Sequence, residues 1–324
     1  MGLIEKNIPL SEYEKQALAK QSSSVFFLKL PLPLMRWLVL KNIESYRKPK
    51  DFVMPIIPEC ENEIEVFSHE LQGYPNPVKI TVYARKEDNN DKKPLFYFIH
   101  GGGFMGGNSI VNEGLMRLIA DKTGSIAVAV DYNVAPEVKH PVPLNECHEV
   151  LNYILENYPV DKTKIIICGD SAGGNLTAVL TLKLLNENGP VPRGQIILYP
   201  VCDLSNFDRA SYLQKGTTYS GMRKGMMIAR SVYLPDEKSQ TSIYVSPMLT
   251  DFKEPQPDAL LLVAECDALR CDGLDYGEKL EVAGGYARTI LYKGAYHAFI
   301  NDLRRSDIAD DAAEEILTFV NDRI

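Results

Sequence analysis

Long apolar runs are missing from this sequence. The most hydrophobic stretch, VFFLKLPLPLMRWLVL at residues 25–40, is 16 residues long and carries Lys29, Arg36 and two prolines, whereas a membrane-spanning helix needs about 20 predominantly apolar residues. No bilayer span is expected. Basic charge is short as well: 35 Lys and Arg against 43 Asp and Glu leave a net charge of -8. Binding to a phosphate backbone rests on clustered cations, so nucleic acid is excluded as a partner. Cysteine is sparse. Its six positions (60, 147, 168, 202, 266 and 271) form no CxxC and no Cys/His cluster at zinc spacing, so no metal site is expected. Cys168 and Cys266 each end an apolar run and are read as small buried thiols of a reducing compartment, and only the Cys266 and Cys271 pair leaves a redox role open. The N-terminal MGLIEKNIPLSEYEKQ lacks a basic region followed by an apolar one, so it is not read as a secretory signal and a cytoplasmic location is expected. No internal repeat and no low-complexity tract is visible.

What is present is the material of a large core: 324 residues, 45% hydrophobic and 24% charged, near the average for globular chains and beyond the size that needs staples. Residues 11–47 read as helical, with Ser11 as N-cap and with Pro31 and Pro33 breaking or kinking the run. An apolar segment of this kind has to bury its face as a cap over a pocket, as a subunit contact or on a membrane surface, and the cap is favoured. EIEVFSHE and VKITVYAR then read as strands. After the polar loop KEDNNDKK, short apolar runs alternate with helical periods. The runs lie at 95–99, 125–130, 164–168, 194–199, 259–265 and 287–292, and the helices near 111–123, 143–157, 172–187, 272–284 and 308–323. Short, fully apolar strands separated by helices predict an α/β fold with a mainly parallel sheet covered on both faces. Residues 203–257 contain no convincing strand and are read as an insertion belonging to the cap.

Between the run KIIIC and the helical LTAVLTLKLLNEN stands CGDSAGG, with Ser171 in the pattern Gly169-x-Ser171-x-Gly173. As a string this pattern is weak, and a plain small-residue turn would also use it. Its place at a strand-turn-helix junction is specific, because such an elbow lifts a serine hydroxyl above the sheet edge. A serine needs a base, and the base an orienting carboxylate. Of His69, His100, His140, His148 and His297, only His297 follows Ser171, in a loop after the last expected strand. Asp267 directly follows the buried run ALLLVAEC, at the sheet edge where ligands gather. Asp272 is its nearest rival and reads better as the N-cap of a helix starting at Gly273. Glu265 lies within the strand.

The segment FIHGGGFMGG (98–107) offers backbone N–H groups beside glycines that leave them unobstructed, as an oxyanion requires. The competing readings are a phosphate loop, which would need an absent Gly-Lys-Ser/Thr, and a dinucleotide fingerprint. For the latter, Gly101-x-Gly103-x-x-Gly106 is only a loose match, with Asp131 as its one acidic candidate.

Taken in order, HGGGF, DYNVAPE, GDSAGGN, SPM at 246–248, ECDALRCDG and YHAF resemble the hormone-sensitive-lipase-like branch of the α/β-hydrolase serine esterases, from about residue 94 to the C-terminus. The resemblance implies an α/β-hydrolase fold with a helical cap. It divides the chain into an N-terminal cap segment (1–50) and a catalytic domain (51–324) that contains the 203–257 insertion. It implies Ser171 as nucleophile, His297 as general base and acid, Asp267 as orienter, and an oxyanion hole from the N–H groups of Gly102, Gly103 and Ala172. His100 would shape the glycine loop. Hydrolysis of a small-molecule ester, short-chain or aryl, is implied with no cofactor and no metal, and a homodimer is left open. A deacetylase or amidase on the same scaffold is the alternative enzyme. A non-catalytic small-molecule receptor of the same fold would lack the histidine that this chain has. The family's Tyr-Arg-Leu-Ala-Pro-Glu stands here as Tyr132-Asn-Val-Ala-Pro-Glu137, and Cys271 replaces a residue that is often acidic.

Overall fold

The computed structural model describes residues 2–21, 30–48, 53–86, 91–215 and 217–324. Residues 25–29 of the apolar N-terminal run and 87–90 of the polar loop lie outside them.

The alternating runs assemble into one sheet. Its strands are β1 (Ile4–Lys6), β2 (Ile64–Leu71), β3 (Val78–Arg85), β4 (Lys93–Ile99), β5 (Ile126–Asp131), β6 (Val160–Asp170), β7 (Gly194–Leu198), β8 (Asp258–Cys266) and β9 (Ala287–Tyr296), in the order β1-β9-β8-β7-β6-β4-β5-β3-β2. Every pairing from β1 across to β5 is parallel, and β3 and β2 continue the sheet antiparallel. The helices are α1 (Glu12–Gln21), α2 (Leu32–Lys41), α3 (Ile43–Arg47), α4 (Glu113–Thr123), α5 (Val142–Asn157), α6 (Ala172–Asn186), α7 (Thr217–Tyr233), α8 (Arg270–Val282) and α9 (Asp307–Asn321).

Successive side chains of a strand point to opposite faces, and both faces are covered. Leu95, Tyr97 and Ile99 of β4 join Leu151 of α5 and Val179 of α6 in one core. Phe96 and Phe98 join Leu115 and Ile119 of α4 and Ile316 of α9 in the other. Tyr276 and Leu280 of α8 complete the first face against Ile197 and Leu261. This two-sided burial is why the runs are continuously apolar. Each such side chain contributes about 1.5–3 kcal/mol.

From β4 the chain steps to β5 on one side and then to β6 on the other. That reversal opens a crevice at the C-terminal ends of β4 and β6, where open α/β sheets bind ligands.

Some boundaries differ from expectation. β1 was not foreseen; its three residues pair with Ile290, Leu291 and Tyr292, too short a stretch to show alternation. β6 and β9 are longer than their apolar cores, because backbone pairing continues where side chains turn polar. Ser11 caps α1 reciprocally: the Glu14 N–H donates to Ser11 Oγ at 3.3 Å and the Ser11 N–H to Glu14 Oε2 at 2.7 Å. Pro31 occupies the N-cap of α2 and Pro33 its first turn, so the prolines begin a helix here, where a missing N–H costs nothing. The 203–257 interval holds α7 and two single 3-10 turns, with no strand among the described residues. α2 lies along α7, tied by Arg36 Nε to Ser231 Oγ at 3.1 Å, and Met35 shares a core with Met226 and Ala229.

Candidate active site

β6 ends at Asp170 and α6 begins at Ala172, so one residue must make the turn. Ser171 makes it with φ 54° and ψ -113°, a conformation costing about 1–3 kcal/mol for a residue with a side chain. The surroundings hold it there. The Ser171 N–H donates to Leu198 O at 2.9 Å, and its carbonyl accepts from Asn175 N at 3.1 Å. Asn175 Nδ2 donates to Val201 O and Val245 O at 2.8 and 2.9 Å, which binds the elbow to the segment after β7 and to the segment before Pro247. The flanking glycines are required by space: a Cβ on Gly169 would come within 2.3 Å of Gly173 O, and one on Gly173 within 2.0 Å of Ile99 O.

His297 follows β9 directly, before a residue (Ala298) at φ 66°. Its Nε2 lies 3.0 Å from Ser171 Oγ and its Nδ1 2.6 Å from Asp267 Oδ2. Asp267 is 1% exposed, and its other oxygen accepts the Leu269 N–H at 2.9 Å. That carboxylate fixes the tautomer, with Nδ1 donating and Nε2 left to accept the serine proton. Burial opposes the charged imidazolium, yet the charge and hydrogen bond of Asp267, with Asp170 behind, outweigh it and raise the His297 pKa above its ordinary value. The ring of Tyr199 meets the imidazole edge-on at 5.2 Å.

The glycine loop after β4 lies beside the serine. Gly102 and Gly103 have φ of 121° and 61°, and both line the same cavity as Ser171 and His297. Ala172 is the first residue of α6, so its N–H has no acceptor within that helix. The loop is joined to the elbow by Asp170, whose Oδ1 accepts the Gly101 N–H at 2.7 Å. Burial raises the pKa of that carboxyl. His100 is buried and stacked on Tyr132 at 4.3 Å, and its Nδ1 reaches Gly101 O at 2.7 Å. The Tyr132 hydroxyl donates to His100 O at 3.0 Å. The departure at Asn133 is accommodated by Glu146, which accepts from its backbone and side-chain nitrogens at 2.7 and 2.8 Å.

The rivals are placed elsewhere. Asp272 is no N-cap: α8 begins at Arg270, and Asp272 is buried within it. Its carboxylate accepts the N–H groups of Cys202 and Asp203 and pairs with Arg209 at 2.8 Å. Glu265 accepts the Gly294 N–H at 2.9 Å and pairs with Lys293. Asp131 accepts the Ser109 N–H at 2.7 Å, so it serves the turn before α4. Cys266, the last residue of β8, is only half-buried, and all six cysteines are free.

Above the serine lies a cavity of about 550 Å³, within the ordinary range for small-molecule sites. Met35 and Val39 of α2 wall it together with Met222, Gly225 and Met226 of α7. Sequence reasoning did not name these residues, nor Asp170. The signal for Asp170 was a carboxylate lodged between an apolar strand and a glycine-flanked serine. The methionines stood in an interval with no periodic guide to its inner face.

Residues 96–301 match the family described as the alpha/beta hydrolase fold. An alpha/beta hydrolase of Acanthamoeba polyphaga mimivirus is 30% identical over 67% of this chain, and the match spans 64% of that protein, just under two thirds of its length. The ethyl acetate hydrolase of Pseudomonas putida is 26% identical over 81% of this chain and 82% of its own. Among solved structures, the hyperthermophilic esterase from the archaeon Pyrobaculum calidifontis superposes with a TM-score of 0.79 at 26% identity, covering 97% of this chain and 99% of that one.

Proposed function

Since this chain belongs to the α/β-hydrolase fold family, in its hormone-sensitive-lipase-like branch, we propose that it is a carboxylic ester hydrolase working through an acyl-serine intermediate. One observation carries the reading: Ser171 Oγ, His297 Nε2 and Nδ1, and Asp267 Oδ2 form a continuous hydrogen-bonded line opening into the cavity. Ser171 Oγ attacks the ester carbonyl while its proton passes to His297 Nε2. The carbonyl oxygen becomes an oxyanion within reach of the N–H groups of Gly102, Gly103 and Ala172, each donor of this kind being worth about 3–4 kcal/mol. The imidazolium then gives its proton to the alcohol oxygen as the C–O bond breaks. Water attacks the acyl-serine, His297 takes the water proton, and the acid leaves as Ser171 regains its hydrogen.

The wall of Met35, Met222 and Met226 is apolar and adaptable, which favours short-chain or aryl esters over polar acyl groups. α2, α3 and α7 serve as the cap over this pocket. Of the expected 1–50 cap segment, β1 instead joins the catalytic sheet beside β9, and α1 bonds to Asp302 and Ser306 rather than lining the pocket. Six free cysteines support a reducing compartment, the cytoplasm. The test is hydrolysis of p-nitrophenyl acetate by Ser171→Ala. The rate is expected to fall by about 10⁴-fold or more, and a variant as fast as its parent would sink the proposal.

A further inference from the structure

We propose that α3 does more than roof the pocket: Arg47 is a positioning residue that sets the glycine loop so that the N–H groups of Gly102 and Gly103 meet the developing oxyanion. This rests on the reading of those groups as oxyanion donors.

The loop has little of its own to hold it. Gly102, Gly103 and Gly107 all have positive φ, and glycine loses more backbone freedom on ordering than any other residue. Within the loop, Gly102 O accepts from Met105 N at 3.2 Å and Gly106 N at 3.1 Å, both long. Arg47 supplies an outside frame. Its Nε donates to Met105 O at 2.9 Å and its Nη2 to Ala135 O at 3.0 Å. Its Nη1 donates to Glu137 Oε1 at 3.0 Å, and Nη2 also pairs with that carboxylate. The Ala135 N–H in turn donates to Phe104 O at 2.8 Å. One guanidinium therefore locks the loop to the turn at 135–137, which already holds it from the other side.

The fit is close. A Cβ on Gly106 would lie 3.2 Å from both Arg47 Cγ and the Tyr46 ring, and one on Gly103 3.3 Å from the Tyr46 hydroxyl. α3 thus rests on the two glycines that frame the bend. The Arg47 side chain is 17% exposed. Lysine cannot substitute, because three acceptors on two chain segments need a planar fork rather than a single ammonium.

The test uses Arg47→Lys and Arg47→Met in the full chain, with p-nitrophenyl acetate as a substrate too short to sense the pocket wall. We expect kcat to fall about 10- to 100-fold in both, the scale of a misplaced donor, with KM nearly unchanged. Affinity for a trifluoromethyl ketone, whose adduct carries an oxyanion, should fall by the same factor, while that for the matching methyl ketone should hold. Guanidinium added to Arg47→Met should restore part of kcat. Lys86→Ala, which loses a surface pair with Glu63 at 3.0 Å far from the pocket, should keep the parental kcat. Arg47→Lys keeps a charge beside Glu137 and carries the test should Arg47→Met fail to fold. Parental kcat in the Arg47 variants, or equal losses for both ketones, overturns the positioning role alone. A parent that hydrolyses no ester overturns the esterase reading and this inference with it.

Discussion

On the proposed mechanism His297 must be neutral to take the serine proton, and its surroundings act against neutrality. Asp267, bonded at 2.6 Å, and Asp170 favour the imidazolium more than burial disfavours it, so the pKa lies above 6.5. On the esterase reading, kcat/KM is full on the alkaline side and falls with decreasing pH through a pKa above that value. Asp267→Asn removes the charge that holds the pKa up, so the acid limb should move to lower pH while the plateau drops by about 10⁴-fold. Paired pH–rate profiles check this; a limb that stays in place would assign it to another group. The three residues of this line were legible in the sequence for different reasons: Ser171 by its junction, His297 by elimination, Asp267 by the strand it follows. Asp272 was misread because a carboxylate near a helix start resembles a cap. Its partners Cys202, Asp203 and Arg209 come together only through the packing of β7 and β8.

Elements position these residues through places where no side chain fits. A methyl on Gly173 meets Ile99 O at 2.0 Å and His100 O at 2.6 Å, both backbone atoms that cannot yield without moving β4. Gly173→Ala is therefore expected to cost about 3 kcal/mol or more, readable as a lower urea midpoint. Gly225 of α7 is the opposite case, since a Cβ there meets nothing within 4 Å and the residue faces the cavity. Gly225→Leu should favour the helix by about 0.8 kcal/mol while filling the acyl space. The melting temperature should rise slightly, and hexanoate hydrolysis should fall about tenfold relative to acetate. An unchanged hexanoate-to-acetate ratio would place the acyl chain elsewhere. Helices α5, α6 and α9 were readable almost to the residue, because each is amphipathic or apolar against a sheet. The inner face of α7 was not, as its Gly, Met and Arg pattern acquires meaning only when α2 lies along it.

Across the whole molecule, the mainly parallel sheet with helices on both faces was legible because six short apolar runs alternate with helical periods, whereas the strand order was not, since it takes in β1, three residues too short to show alternation. Nor was the clasp formed by α3 on the glycine loop. Arg47 and Glu137 are 90 positions apart, and neither sits in a pattern that names the other. With a two-sided core and six free cysteines, the fold should owe nothing to cross-links, so thermal melting should be the same with and without dithiothreitol. A reductant-dependent shift would reveal a pairing. The most direct test of the central claim is labelling of the intact protein with a fluorophosphonate, with the modified residue identified by mass spectrometry. One equivalent bound at Ser171, absent in Ser171→Ala and strongly slowed in His297→Ala, is the predicted result. Stoichiometric labelling at another residue, or none in a protein that still hydrolyses esters, would contradict it.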